Sequence, residues 1–247
     1  MKKIKILQFG EGNFLRAFVD TMVDTANLAG IMDASVTIVK PIRSGSLDLL
    51  RSQNCVYSVL VRGVQQGQTV EKLQTVHSVK EALCCYEDFN ALLTLACEDA
   101  LQIVVSNTTE AGIVCSDDDE LAGSPPNSYP AKLTRLLWER YLHFEGAQDK
   151  GLYILPCELI ADNARELERC VLYTAQKWAL PEPFLRWIKT SCYFCTTLVD
   201  CIVTGYDEKL SACLLYTSLF WHIPAPGHRP LHWHPKNEAA AQSIKCR

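Results

Sequence analysis

Two glycines near the start of the chain directly follow a short apolar run. The run 4–9 (IKILQF) ends at Gly10, Gly12 follows within the turn, and a helix-like pattern begins at Arg16. A dinucleotide requires this order of strand, tight turn and helix. Gly10 lets the chain turn, Gly12 lets backbone N–H groups reach the pyrophosphate, and the start of the helix adds partial positive charge. Leu15 stands where the usual fingerprint has its third glycine, so a plain strand-turn-helix unit with two structural glycines stays open.

Four stretches in the same order resemble the mannitol dehydrogenase family of long-chain polyol and sugar-acid dehydrogenases. They are 10–18 (GEGNFLRAF), 106–113 (SNTTEAGI), 155–164 (LPCELIADNA) and 196–206 (TTLVDCIVTGY). The resemblance covers about residues 3–206 and is strongest to the branch that acts on sugar acids. It implies NAD as cofactor and hydride transfer at a carbon bearing a hydroxyl or keto group.

The resemblance also assigns residues to the cofactor and to the substrate. For the cofactor it implies Ile6, Leu7, Gln8, Phe9, Gly10, Glu11, Gly12, Asn13, Phe14, Leu15, Arg16, Ala17, Ser106, Asn107, Thr108 and Lys132. On the substrate side it implies Glu158, Asn163 and Asp200. Two positions depart from the family: Leu159 replaces an asparagine that bonds the reacting oxygen, and Cys201 replaces an arginine. A capping loop at 106–112, a surface role for Lys132 and a helix-start role for Glu158 remain alternatives.

Apolar runs that alternate with helical patterns predict an α/β fold, a Rossmann-like doubly wound and mostly parallel sheet. The predicted strands include 35–39, 101–105 and 151–155, and the predicted helices begin at Tyr129 and at about Asp162. The runs 55–62 and 69–79 predict an antiparallel hairpin inserted between them.

The end of the second predicted strand leaves the choice between NAD and NADP open. An acid there usually holds the ribose 2′-hydroxyl of NAD, whereas an arginine accommodates the 2′-phosphate of NADP. This chain has Lys40 and Arg43, and no acid until Asp48. Lys40 and Arg43 slightly favour NADP, whereas the resemblance implies NAD. A third interpretation is that both residues are solvated loop charges. NAD is the expectation, with NADP not excluded.

Composition argues against several kinds of partner and site. A net charge of −4 over 247 residues, without a basic stripe, predicts no nucleic-acid partner. No run approaches the roughly 20 apolar residues of a membrane span, and no signal peptide is recognisable, which favours a cytoplasmic location. We expect no metal site, since 117–120 (DDDE) is typical of a solvated loop and the Cys192 to Cys195 pair lacks further zinc ligands.

The chain changes character after about residue 209. The segment 210–247 holds four of the six histidines and four of the eleven prolines, without a sustained periodicity. We predict a dinucleotide-binding domain at 1–209 and a disordered, unrelated or frame-shifted tail at 210–247. In the family a further, mostly helical domain carries a Lys-x-x-x-x-Asn-x-x-His motif whose lysine transfers the proton. That spacing does not occur here, so the resemblance places no catalytic residue in this chain.

The expected function is therefore the cofactor-binding half of a dehydrogenase for a sugar-acid substrate, binding NAD(H) with little or no turnover. Other members of the family, acting on fructuronate, mannitol or mannitol 1-phosphate, are alternatives. So is a non-catalytic nucleotide-binding fragment. The sequence does not indicate an oligomeric state.

Overall fold

The apolar run at the start of the chain forms the central strand of a parallel sheet. The structure is a computed structural model that describes residues 3–65, 68–108, 112–198, 202–206, 214–218 and 244–246. In it β1 (Ile4–Phe9) pairs in parallel with β2 (Ala34–Lys40) on one side and with β6 (Leu101–Ser106) on the other. Leu7 and Phe9 point to one face of the sheet and Ile6 to the other, and all three are buried, as expected for a strand covered on both faces.

The main sheet continues outward from these three strands. Its order is β11-β8-β7-β6-β1-β2-β5, with β5 (Val79–Cys84), β7 (Tyr153–Pro156) and β8 (Tyr193–Thr197) parallel to their neighbours and β11 (Ile244–Cys246) antiparallel to β8. The predicted doubly wound, mostly parallel sheet is confirmed.

Helices cover both faces of this sheet. On the face of Ile6 lie α1 (Asn13–Ala17), α2 (Val19–Leu28) and α3 (Asp48–Ser52). On the face of Leu7 lie α4 (Phe89–Ala96), α5 (Tyr129–His143), α6 (Asn163–Lys177) and α7 (Glu182–Ser191). The side chain of Ser128 caps α5 by accepting from the Ala131 N–H at 3.2 Å, with Pro130 in the first turn as the sequence predicts. A 3₁₀ turn, Gln148–Lys150, precedes β7.

The predicted hairpin is present, but its second strand ends earlier than predicted. β3 (Tyr57–Gln65) and β4 (Gln68–Val76) pair antiparallel, and Val79 begins β5 in the main sheet instead of ending the hairpin. The hairpin belongs to a second sheet of order β4-β3-β10-β9, with β9 (Ile202–Tyr206) and β10 (Leu214–Ser218). β10 and β11 are the parts of the 210–247 segment that the structure describes, and the predicted boundary at 209 stays a prediction.

Candidate functional site

The strand order reverses direction at β1. From β1 the chain builds outward through β2 and β5 on one side, then returns to build β6, β7 and β8 on the other. Ligands of open α/β sheets bind at such a switch point, in the crevice beyond the carboxyl ends of the strands. The Gly10 turn after β1 and Asn107 after β6 lie at this point.

Gly10 brings these two strand ends into direct contact. Its φ is +124°, and its N–H donates to the Val39 carbonyl at 2.9 Å. A Cβ at this position would lie 2.8 Å from the carbonyl oxygen of Asn107. Only glycine combines this φ with so close a neighbour, so the turn is held tightly against the end of β6.

Gly12 faces open space at the start of α1. It is exposed, its φ of −62° is ordinary, and apart from the adjoining residues no heavy atom lies within 4 Å of where its Cβ would be. No side chain caps α1 at Gly12, so the first backbone N–H groups of the helix make no hydrogen bond to a capping side chain. A second helix, α2, follows after the single turn residue Phe18, whose carbonyl accepts a hydrogen bond from the Met22 N–H at 3.0 Å. The result is an open cradle lined by backbone, suited to an anion.

Several predicted cofactor residues have side chains that point into the core. These side chains belong to Ile6, Leu7, Phe9, Leu15 and Ala17, all buried in apolar clusters. Gln8 is also buried and donates to the Gly10 carbonyl at 3.2 Å and to Asp20 at 3.5 Å. These six side chains support the turn from beneath, and the backbone of the four that belong to β1 is paired with β2 and β6.

Arg16 directs its charge inward. Its guanidinium donates to the Asn13 side-chain oxygen at 2.7 Å and lies 5.5 Å from the centroid of the Tyr57 ring. Burial lowers the pKa of Arg16, against the opposing influence of Tyr57 and Asp20. Arg16 therefore fastens the glycine turn to the hairpin strand β3. Of the other predicted turn residues, Glu11 and Phe14 are partly exposed.

Asp20 is a buried carboxyl that the sequence did not single out. Its side chain is fully buried and accepts a hydrogen bond from the Tyr57 hydroxyl at 2.7 Å. Burial raises the pKa of Asp20 to about 7, although the hydrogen bonds from Tyr57 and Gln8 act in the opposite direction. A signal was present, since Asp20 falls in the helical stripe of Ala17 and Asp24 that faces the core.

Glu158 joins the ends of β6 and β7. One carboxylate oxygen accepts from the Thr108 N–H and the Thr108 hydroxyl, each at 3.0 Å, and the other accepts from the Ser106 hydroxyl at 3.1 Å. Burial raises the pKa of Glu158, and these hydrogen bonds oppose the rise. Asn107 adds a bond from its side chain to the Cys157 carbonyl at 2.7 Å. Glu158 does not lie in the first turn of α6, which begins at Asn163, so the helix-start alternative is wrong.

Asn163 has a similar joining role between β7 and β8. Its amide nitrogen, which has two hydrogens to donate, lies 2.9 and 3.2 Å from the carbonyl oxygens of Pro156 and Glu158, and 3.2 Å from the Thr197 hydroxyl. Its oxygen accepts from the Ala164 N–H at 2.8 Å. The side chain is buried and well bonded, which suits a residue that fixes strand ends. The third predicted substrate-side residue, Asp200, lies outside the described residues, as does 109–111 of the loop after β6.

Lys132 is buried beside Tyr86, so the surface alternative is wrong. Its ammonium donates to the Asn127 carbonyl and lies 5.3 Å from the centroid of the Tyr86 ring. Burial lowers the pKa of Lys132. On the same ring the Arg43 guanidinium lies 4.2 Å from the centroid. Tyr86 follows β5, and nothing in the sequence marks it, because its two cations come from elsewhere in the chain.

Lys40 is not a solvated loop charge either. It is buried at the end of β2, and its ammonium donates to the carbonyls of Arg43 and Gly45 at 3.1 and 2.6 Å. The loop that follows β2 is therefore fastened to the strand from which it emerges.

The acidic run 117–120 is only partly solvated, which corrects the sequence interpretation. Asp119 is buried and accepts from the backbone N–H groups of Asn127 and Ser128, at 2.5 and 3.2 Å. In the part of the chain that the structure describes, no cluster of three His, Cys, Asp or Glu side chains is arranged to hold a metal ion. Cys192 is a free buried thiol, while Cys195 is disulfide-bonded. Across the same described ranges, no helix is both long and apolar enough to span a bilayer.

Residues 4–222 match the mannitol dehydrogenase Rossmann domain. This chain belongs to the mannitol dehydrogenase family. Altronate oxidoreductase of Klebsiella pneumoniae (strain 342) is 48% identical over 203 residues, and that of Escherichia coli O7:K1 (strain IAI39 / ExPEC) is 46% identical over the same length. Each match covers 82% of this chain and 42% of the relative, so the chain spans less than half the length of these curated relatives.

Solved structures show the same fold. Pseudomonas fluorescens mannitol 2-dehydrogenase, in a ternary complex with NAD and D-mannitol, aligns with a TM-score of 0.74 at 20% identity, over 88% of this chain and 48% of that one. A substrate-free D-sorbitol dehydrogenase aligns with a TM-score of 0.69 at 17% identity, over 88% of this chain and 51% of that one. The likeness to these two structures supports the fold assignment.

Proposed function

We propose that this chain is the NAD(H)-binding part of a cytoplasmic dehydrogenase of the tagaturonate reductase type, also called altronate oxidoreductase. The reaction is the interconversion of D-altronate and D-tagaturonate in hexuronate breakdown, with a linear sugar acid as substrate. Support comes from the family membership and from relatives named altronate oxidoreductase at 46–48% identity. The observation that carries the proposal is the open backbone cradle at Gly12, located at the switch point of the sheet.

The residues present fit a dinucleotide. The space over Gly12 would be filled by any side chain, and the start of α1 offers backbone N–H groups to a diphosphate. The close approach of Gly10 to the Asn107 carbonyl fixes the turn that precedes Gly12 against the end of β6. The nicotinamide cofactor, when bound, exchanges a hydride with the substrate carbon.

Glu158 acts in this proposal as a positioning residue. Both of its carboxylate oxygens are already used by Ser106 and Thr108, so the side chain is not poised to exchange a proton with a substrate. It instead holds the loop that follows β6 in place beside the glycine turn. The proton acceptor or donor of the family is a lysine in a Lys-x-x-x-x-Asn-x-x-His motif, and this spacing is absent from the 247 residues.

The test of binding is a titration of the full chain with NADH, followed by nicotinamide fluorescence. Gly12→Leu places a branched side chain in the cradle and is expected to weaken NADH binding at least about tenfold. Ala29→Leu adds a branched side chain at an exposed position just beyond the far end of α2, and serves as the matched control. Binding that is absent from the wild-type chain, or equal in the two variants, would contradict the proposal.

Substrate and turnover need a separate measurement. We expect no appreciable altronate oxidation by this chain alone, because the Lys-x-x-x-x-Asn-x-x-His spacing of the family does not occur in its sequence. Assays of an intact homologue with altronate, fructuronate, mannitol and mannitol 1-phosphate separate the branches of the family. Faster oxidation of mannitol than of altronate would contradict the sugar-acid assignment.

A further inference from the structure

We propose that Arg43 binds the 2′-position of the cofactor ribose, so that the site accepts NADP(H) as well as NAD(H). This inference rests on the proposed binding of a dinucleotide and adds the class of cofactor to it. The residues that carry it lie in the loop after β2, where Rossmann folds distinguish the two cofactors.

The loop after β2 lacks the acid that would select a 2′-hydroxyl. Residues 41–47 read PIRSGSL, and the first acid after β2 is Asp48, in the first turn of α3. Arg43, Ser44 and Ser46 are exposed in this loop. A carboxylate at the end of β2 would repel a 2′-phosphate, whereas a guanidinium and hydroxyl groups can bind one.

The backbone of the loop is fixed from below. Lys40 is buried at the end of β2, and its ammonium bonds the carbonyls of Arg43 and Gly45 at 3.1 and 2.6 Å. The position from which the Arg43 side chain starts is therefore defined by the fold.

The guanidinium of Arg43 is also held in place. It lies 4.2 Å from the centroid of the Tyr86 ring, at the end of the neighbouring strand β5. Stacking uses the face of a guanidinium and leaves the N–H donors at its edge available for a phosphate. Within residues 3–65, 68–108 and 112–198, Arg43 forms no ion pair with a carboxylate.

The charges around Tyr86 favour an anion. The Lys132 ammonium lies 5.3 Å from the centroid of the same ring, so the ring has two cations near it. Asp119 acts on Lys132 and Tyr86, but its carboxylate is engaged by the backbone N–H groups of Asn127 and Ser128. A ribose 2′-hydroxyl can still accept from Arg43, so NAD(H) is not excluded. A 2′-phosphate gains the stronger, charge-assisted contact.

Parallel titrations of the full chain with NADH and NADPH test the inference. We expect the dissociation constants of the wild-type chain for the two cofactors to agree within about tenfold. Arg43→Glu should weaken NADPH binding at least about tenfold, since a contact between charged groups is lost and a repulsive one is added. The same variant should change NADH binding less than about threefold. Arg43→Gln should show a smaller loss for NADPH, and Arg186→Glu, at an exposed position of α7, should show none.

The outcomes separate this inference from the proposed function. Tight binding of NADH with exclusion of NADPH would overturn the role of Arg43 and leave the dinucleotide proposal intact. Unchanged NADPH binding in Arg43→Glu would have the same meaning. Failure of the wild-type chain to bind either cofactor would overturn both proposals. Rising salt should weaken NADPH binding more than NADH binding, because screening acts on the additional phosphate charge.

Discussion

The Tyr57 hydroxyl lies 2.7 Å from a carboxylate oxygen of Asp20, in a region closed to solvent beneath the glycine turn. The same hydroxyl lies 3.0 Å from the carbonyl oxygen of Arg16. These contacts join the helix after the turn to the first strand of the hairpin. The second Asp20 oxygen has no hydrogen-bond partner in the described part of the chain, which agrees with a carboxyl that keeps its proton.

Asp20 should make the stability of the protein depend on pH. The pKa of Asp20 is about 7 in the folded chain, against about 3.9 for an unperturbed aspartate. The unfolded chain therefore loses this proton first as pH rises. The contribution of Asp20 to the free energy of unfolding should fall between about pH 4 and pH 7 and then level off.

Asp20→Asn removes this titration, and the measurement is urea denaturation of both proteins at a series of pH values. The free energy of unfolding of the wild-type chain, relative to that of the variant, should decrease across the window. Asp33→Asn, at an exposed position, should preserve the wild-type pH profile. Parallel profiles for wild type and Asp20→Asn would contradict the raised pKa.

Glu158→Gln should weaken the junction between the ends of β6 and β7. The wild-type carboxylate accepts three hydrogen bonds, whereas a glutamine amide presents one oxygen and one NH₂ donor to the same three donors. We expect a loss of about 1–3 kcal/mol in the free energy of unfolding, measured by urea denaturation. Glu120→Gln, exposed in the loop before α5, should cost less than about 0.5 kcal/mol. An equal effect of the two substitutions would argue against the joining role.

Arg140→Met should be among the most destabilising single changes in the chain. The buried Arg140 guanidinium donates to the carbonyls of Lys150, Ala96, Glu98 and Leu101 at 2.6, 2.7, 3.0 and 3.0 Å. Methionine would fill part of the space but leave these carbonyl groups without their donor. We expect a loss of at least about 3 kcal/mol in the free energy of unfolding.

Arg135→Met on the same helix provides the comparison for Arg140. Arg135 pairs with Glu139 one turn later on α5, and such pairs contribute about 0.3–0.5 kcal/mol. Thermal unfolding should therefore show a large drop in Tm for Arg140→Met and a small one for Arg135→Met. Similar Tm values for the two variants would show that the carbonyl contacts of Arg140 contribute little.

Gly10→Ala should destabilise the glycine turn, whereas Gly12→Ala should not. An alanine at position 10 would need a φ near +124° and would place its Cβ 2.8 Å from the Asn107 carbonyl oxygen. We expect a cost of about 1–3 kcal/mol from this strain, seen in urea denaturation. At position 12 the φ is ordinary and the space is open, so stability should change by less than about 1 kcal/mol. A larger loss at position 12 than at position 10 would be incompatible with the described turn.

The buried strands and long helices of the main sheet follow from the sequence because their patterns are local. The run 101–105 and the helical stripe after Tyr129 correspond to β6 and α5. β5 was missed for a physical reason: it is an outer strand with Lys80 and Glu81 exposed, so it lacks the continuous apolar pattern of a central strand. Its first residue, Val79, was instead predicted to be the last residue of the hairpin.

The candidate site was predictable only where backbone geometry determines it. The turn at Gly10 and Gly12 can be predicted from residue type alone, since few residue types permit a tight turn. Burial of charged side chains cannot be inferred in this way. Lys40, Lys132 and Asp119 are buried and bond backbone carbonyl or N–H groups of loops three to eight residues away, and no periodic pattern in the sequence indicates such loop contacts.

The carbonyl groups that Lys40 holds belong to the main chain, so replacing the side chain of residue 43 leaves them where they are. The backbone path of the loop after β2 thus does not depend on which side chain residue 43 carries. One amino-acid exchange at this position should therefore narrow the site from two nicotinamide cofactors to NAD(H) alone, without rebuilding the scaffold around it.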